Sequence, residues 1–314
     1  MNDRLDTRRI YIYLAFSFGL AWITSLIIYL TGGLQDSPML IPEANISLAL
    51  VLLAGPVMWS PTLAHVLTRL LTGEGWQNTR LRVRSKKSWP YLLIAWILPT
   101  VLTIVGAAAF FLLFPRYYDA DLTMLQEMLA GTPAGAEMEG IGLWSVVILQ
   151  IIQGALLSPF INGIATFGEE FGWRAYLQPK LKPLGPRRGM VLMGLIWGVW
   201  HWPVILMGHN YGLLYPGAPL LGPLAMVWFT FVVGTFLGWL TWRAQSVWPA
   251  VIGHAAVNGM ANLGTIFVRG EPNPLLGPLP VGLIGGIGFT VVALLLLLFP
   301  SCWHTDVTQE VMER

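Results

Sequence analysis

Two adjacent glutamates, Glu169 and Glu170, lie in a long apolar stretch, with Arg174 four residues beyond the second. Ionisable groups are costly inside a bilayer, so side chains of this kind are read first as a working site with partners. The candidate partners are His201 and His254, each in a further apolar stretch. A carboxylate and a neutral imidazole sharing one water can remove its proton and make a nucleophile where bulk water is excluded. Asn258 follows His254 at i,i+4, and the two can donate hydrogen bonds to the oxyanion formed when that water attacks a carbonyl. The chemistry this set suits is amide hydrolysis.

These residues need helices to place them. Glu170 and Arg174 are i,i+4 neighbours, a spacing that lets a carboxylate and a guanidinium meet on one face. Glu169 is turned about 100° from Glu170, so one glutamate can be a structural ion while the other faces a cavity. Trp197 stands one turn before His201. At about 1.5 Å rise per residue, Glu169 lies roughly 12 Å from the helix end near Leu177, His201 roughly 16 Å from Met190 and His254 roughly 10 Å from Val247. All three depths fall in the cytoplasmic half of a bilayer, which predicts one polar cavity open to the cytoplasm.

Composition supplies the membrane. Hydrophobic residues make up 55% of the 314 and charged residues only 11%, against about a quarter charged in soluble domains. The expected fold is an all-α membrane protein of about eight transmembrane helices. The expected spans are Ile10 to Leu30, Ile46 to Leu71, Tyr91 to Phe114, Leu143 to Ala165, Met190 to Met207, Leu220 to Trp242, Val247 to Phe267 and Leu279 to Phe299. The helical pattern after the fourth runs on past the glutamates, which predicts a kink or a separate short helix there. With the N-terminus inside, 16 of the 18 Lys and Arg residues fall on the cytoplasmic side, all but Arg116 and Arg269. The loop from Arg116 to Gly142 carries Asp119, Asp121, Glu127, Glu137 and Glu139. This asymmetry places both termini in the cytoplasm. Ile10 to Leu30 reads as a first span, its apolar run being too long for a signal peptide. The one cysteine, Cys302, excludes an intrachain disulfide and a Cys-rich metal site. Residues 1–314 are expected to form a single polytopic membrane domain.

Glu-Glu-x-x-x-Arg, aromatic-x-x-x-His and His-x-x-x-Asn, in this order on separate membrane helices, resemble the CPBP family of intramembrane proteases. That family includes type II CAAX prenyl endopeptidases and Abi-like proteins linked to bacteriocin self-immunity. The resemblance covers about Gly163 to Asn262, a catalytic core region 163–262. It implies that Glu169 and His201 activate the catalytic water and that His254 and Asn258 form the oxyanion hole, with Glu170, Arg174 and Trp197 in support. Trp197 stands where phenylalanine is commoner, a change expected to matter little. Members are often labelled metalloproteases. The glutamate reading requires no metal, although Glu169, His201 and His254 could supply three zinc ligands. The implied localisation is the plasma (inner) membrane, and the implied partners are the lipid bilayer and a peptide or protein substrate, lipid-modified in the family's CAAX branch. No nucleic-acid partner is expected.

Plainer roles remain for single residues. Glu170 with Arg174 could be a structural ion pair only. His65 has no acidic partner nearby in sequence and reads as a packing residue, while His209 and His304 fall in a loop and a tail. Asn162 and Asn262 flank the proposed site. Two other functions compete: a non-catalytic immunity or scaffold protein with the same fold, and a proton- or ion-coupled transporter. The second should show two related halves with interrupted helices, and the sequence has no such symmetry.

Overall fold

The computed structural model describes residues 5–83, 85–130 and 142–303. Arg4, Arg84, Glu137, Glu139, His304 and Arg314 of the charge and histidine readings lie outside them. Helices dominate. α1 (Thr7–Leu30) is capped by Asp6, whose carboxylate accepts from the Arg9 N–H at 3.3 Å. A small antiparallel hairpin, Met39–Ile41 with Ile46–Ser47, leads into α2 (Leu48–Thr72). Within α2 the turn Leu53–Val57 widens to π-helical geometry around Pro56, one way a proline is absorbed without ending a helix. α3 (Ser85–Leu113), α4 (Thr123–Leu129) and α5 (Leu143–Ile161) follow. The glutamates ride on a separate short helix, α6 (Gly163–Gly172), continued by a second π-helical turn, Trp173–Leu177. α7 (Pro186–Trp200) and α8 (Trp202–Leu206) meet at His201, and α9 (Leu221–Ala244), α10 (Trp248–Met260) and α11 (Ile287–Leu298) complete the bundle.

Five helices among the described residues are long and apolar enough to cross a membrane: Thr7–Leu30, Leu48–Thr72, Ser88–Leu113, Leu143–Ile161 and Leu221–Ala244. Three of the eight expected spans are shorter. The stretch from Met190 to Met207 is broken at His201, where Trp202 and Pro203 open a new turn. The stretch from Val247 stops at Met260, giving a helix of 13 residues, about 20 Å against a hydrocarbon core of about 30 Å. The last is helical only from Ile287, because Gly277, Pro278, Pro280, Gly282, Gly285 and Gly286 disfavour helix before it. An unbroken apolar run in sequence is therefore not an unbroken helix here. The fourth span likewise ends at Ile161, and α6 starts afresh after Asn162.

Burial sorts the long helices into inside and outside. In α9, 72% of the span is buried within the protein, against 17–33% in the other four. α9 and the short α10 thus form the interior, and α10 packs against α3, α5, α6 and α9. In hydrocarbon, close helix packing relies on small residues that bring backbones together. Three small-xxx-small pairs do this around the site. Gly168 and Gly172 of α6 lie against Met58, Trp59 and Pro61 of α2. Gly194 and Gly198 of α7 lie against Phe231, Val227 and Thr230 of α9, and Gly238 of α9 lies against Met190. Gly234, four before Gly238, lies under Arg174 and Trp197.

Side chains of α2 fasten α6 further. Thr62 donates to the Phe167 carbonyl at 3.4 Å and His65 Nδ1 to the Phe171 carbonyl at 2.9 Å. His65 Nε2 in turn accepts from Arg69 Nε at 2.6 Å, so this buried histidine is a structural strut with both nitrogens used. Beyond the helix ends, Glu74 accepts from Lys180 at 2.9 Å and Tyr176 at 3.0 Å, and Arg9 pairs with it at 3.4 Å. Burial pushes the Glu74 carboxyl up, but Lys180 and the Tyr176 hydroxyl outweigh it and hold it below its ordinary value. α1, α2 and the extension of α6 are thereby tied at one end of the bundle.

The glycine contact makes a prediction. A Cβ on Gly172 would fall on the Pro61 carbonyl, a backbone group that cannot swing aside. Gly172→Ala should destabilise the protein by about 1–3 kcal/mol, the usual cost of overpacking. Gly163→Ala, where nothing lies within 4 Å, should be neutral or mildly stabilising. Thermal unfolding of the two variants in detergent checks the contrast, and equal midpoints would remove the case for the close α2–α6 contact.

Candidate active site

The adjacent glutamates of α6 point into different partnerships. The i,i+4 spacing of Glu170 and Arg174 closes into a pair, with Arg174 Nη1 donating to Glu170 Oε1 at 3.2 Å and Nε lying 3.1 Å from Oε2, both side chains fully buried. His254 of α10 joins them, its Nδ1 being 2.9 Å from Glu170 Oε1. A carboxylate paired with arginine can only accept, so that Nδ1 carries the hydrogen. His254 then has Nε2 to offer, and Glu170 is placed to balance the charge of an imidazolium.

Glu169, 2% exposed, accepts a hydrogen bond from Trp197 Nε1 at 2.7 Å. The carbonyl of the same Trp197 accepts from His201 Nδ1 at 2.8 Å. A carbonyl never donates, so His201 holds its hydrogen on Nδ1 and keeps a lone pair on Nε2 when neutral. The Trp197 ring also meets His254 edge-on at 5.3 Å and carries the Arg174 guanidinium over its face at 4.5 Å. Trp197 therefore touches both histidines, Glu169 and Arg174. Phenylalanine, the residue commoner at this position of the motif, has no N–H with which to hold Glu169.

Asn258 stands one turn beyond His254 on α10 but is exposed. It faces a cavity of about 430 Å³ between α10 and α5, shared with Asn162, Ser158, Gln150 and Gln153. Glu169 and His254 are buried in the bundle, His201 is partly exposed, and Asn258 lies on the side of α10 that faces α5. Thr166 and Ser158 position the two walls, donating to the carbonyls of Val251 at 3.1 Å and Ala255 at 3.4 Å. Asn262 follows the end of α10 and is exposed outside this groove.

Residues 151–260 match the family described as type II CAAX prenyl endopeptidase Rce1-like. This stretch is Rce1-like. The match runs from the middle of α5 to the end of α10 and contains Glu169, Glu170, Arg174, Trp197, His201, His254 and Asn258. It bears out the resemblance drawn from the three motifs, and it agrees with an integral membrane protein. No curated protein matches the chain.

Within the Rce1-like segment, zinc would call on Glu169, His201 and His254. Among the described residues no three His, Cys, Asp or Glu side chains gather as such a set, while the Nε2 of each histidine is left open, its Nδ1 being anchored to the Trp197 carbonyl or to Glu170. Sequence reasoning passed over Gln150 and Gln153, although two glutamines three residues apart in an apolar span are a legible signal.

The indole bond is testable on its own. Trp197→Phe keeps an aromatic face under Arg174 but removes the donor to Glu169. A hydrogen bond to a charged group contributes about 1.5–3 kcal/mol, so peptidase kcat should fall by roughly tenfold or more with KM unchanged. An unaltered kcat in steady-state assays would show that the indole N–H has no part in the reaction.

Proposed function

We propose that the protein is an intramembrane endopeptidase of the CAAX type that cuts a peptide bond by water attack, without a metal. The observation that carries the reading is the linked cluster in which one tryptophan joins Glu169, His201 and His254. In this reading a water bound between Glu169 and the free Nε2 of His201 attacks the scissile carbonyl carbon. Its proton passes to Glu169 as the new C–O bond forms. The carbonyl oxygen becomes the oxyanion, stabilised by hydrogen bonds from His254 Nε2–H and the Asn258 amide.

The two histidines divide these roles by their anchors. His201 is held by a neutral carbonyl and suits the acceptor role. His254 is held by the Glu170 carboxylate, which compensates the proton it needs on Nε2 to donate. Collapse of the tetrahedral intermediate breaks the C–N bond, with Glu169 returning its proton to the leaving amine. The basic segments support a site toward the cytoplasmic face of the plasma membrane, with both termini on that side.

The test is cleavage of prenylated and unmodified peptide panels by the purified protein in detergent, with and without chelator, beside Glu169→Gln. Cleavage that survives chelation and vanishes in the variant supports the reading. Loss on chelation moves the chemistry to a metal, and binding without any cleavage moves the protein to the immunity or scaffold class.

A further inference from the structure

α5 carries Ser145, Gln150, Gln153 and Ser158, and Asn162 follows at its C-terminal end. Gln150, Gln153, Ser158 and Asn162 line the cavity that Asn258 also faces, and no charged residue does. Gln150, Gln153 and Asn258 are exposed, and their side chains have no hydrogen-bond partner among the described residues. Asn162 donates one amide N–H to Ser158 Oγ at 2.6 Å, which leaves its second N–H and its carbonyl oxygen without a partner among the described residues. An amide in hydrocarbon with nothing to bond costs several kcal/mol by most estimates. Several on one wall of a groove are therefore matched to something that enters it.

Their chemistry narrows the occupant. A carboxamide offers donors and an acceptor without charge, the complement of a peptide main chain and a poor match for an ion or an acyl chain. The other side of the α5–α6 junction makes the contrast. There a cleft of about 500 Å³ is walled by Trp59, Trp96, Phe160, Phe167 and Trp248 and is almost wholly apolar. Asn258 faces the middle of the amide groove, at the level of Gly154 and Ser158, which both meet Gly259, and stands one turn from His254. From Gln150 to Asn162 the helix rises about 18 Å, the span of about five extended residues.

We propose that this groove is a substrate subsite, which holds about five residues of uncharged, extended peptide main chain on the two sides of the bond cut beside Asn258. The proposal rests on the endopeptidase reading for its purpose but not for its test. Gln150→Leu/Gln153→Leu keeps the bulk and suits a membrane helix. Binding of a fluorescein-labelled, uncharged peptide pool of Ala, Ser, Val and Leu is followed by anisotropy in the wild type and this variant. Cleavage is followed in parallel, on long peptides and on versions truncated on either side of the bond.

The variant should bind the long pool about tenfold or more weakly, from the loss of two sets of hydrogen bonds. Its KM for long peptides should rise with kcat unchanged, and one truncation should erase the difference between the two proteins. Glutamine-dependent binding with no cleavage by the wild type would sink the endopeptidase reading and leave the groove standing. Equal binding by the two proteins overturns the groove whether or not cleavage is seen. A change only in the oligomeric state of the variant also overturns it, by assigning the glutamines to association between copies.

Discussion

Glu169→Gln should abolish peptide cleavage and leave the fold intact. The amide has the volume of the carboxylate, and its carbonyl oxygen can still accept from Trp197 Nε1, so the bond at 2.7 Å that anchors the side chain survives. It cannot take a proton from water. General-base catalysis contributes about 10²–10⁴ in rate, and in the proposed mechanism no other carboxylate takes the proton of the attacking water. The expected result is a fall of that size or larger in kcat, with an unfolding midpoint within the error of the wild type. Turnover near the wild-type rate, with folding verified, would sink Glu169 as the base. A variant that is inactive because it unfolds would show that the buried carboxylate is structural.

Much of this site is legible in the chain. The i,i+4 spacing of Glu170 and Arg174 specifies their pair, and the three motifs mark the residues of α6, α7 and α10 that meet around Trp197. Which glutamate meets which histidine is not legible, because helix spacing fixes the 100° between Glu169 and Glu170 but not the rotation of α6 against its neighbours. That rotation is set by Gly168 and Gly172 against α2. It turns Glu170 toward His254, and Glu169 toward an indole whose hydrogen bond the motif pattern treats as incidental. The glycine pairs at 168 and 172, 194 and 198, and 234 and 238 could have signalled the packing directly. Span number was the weaker reading for a related reason. Hydropathy reports apolar residues, whereas the ends of α7, α10 and α11 are set by local backbone chemistry, such as Pro203 after His201 and the glycines and prolines before Ile287.

Replacing Arg174 should separate stability from activity. Arg174→Met keeps bulk against Trp197 but leaves the Glu170 carboxylate, fully buried, without its cation. Removing one partner of a buried pair costs about 3–5 kcal/mol, because the other charge is left uncompensated. Glu170→Gln alone strands the guanidinium in the same way. The double variant, Glu170→Gln/Arg174→Met, strands neither, and replacing both members of a buried pair is often close to neutral for stability. Its unfolding midpoint should therefore recover most of what either single change loses. Activity should not recover with it. A glutamine at position 170 can still accept from His254 Nδ1, but an uncharged acceptor makes a weaker hydrogen bond, so the imidazole is held less firmly at the oxyanion. Losing one oxyanion donor costs roughly 10²–10³ in kcat. A stable double variant with wild-type turnover would make the Glu170–Arg174–His254 cluster a packing device. A stable double variant that is slow would identify Glu170 as the residue that positions His254.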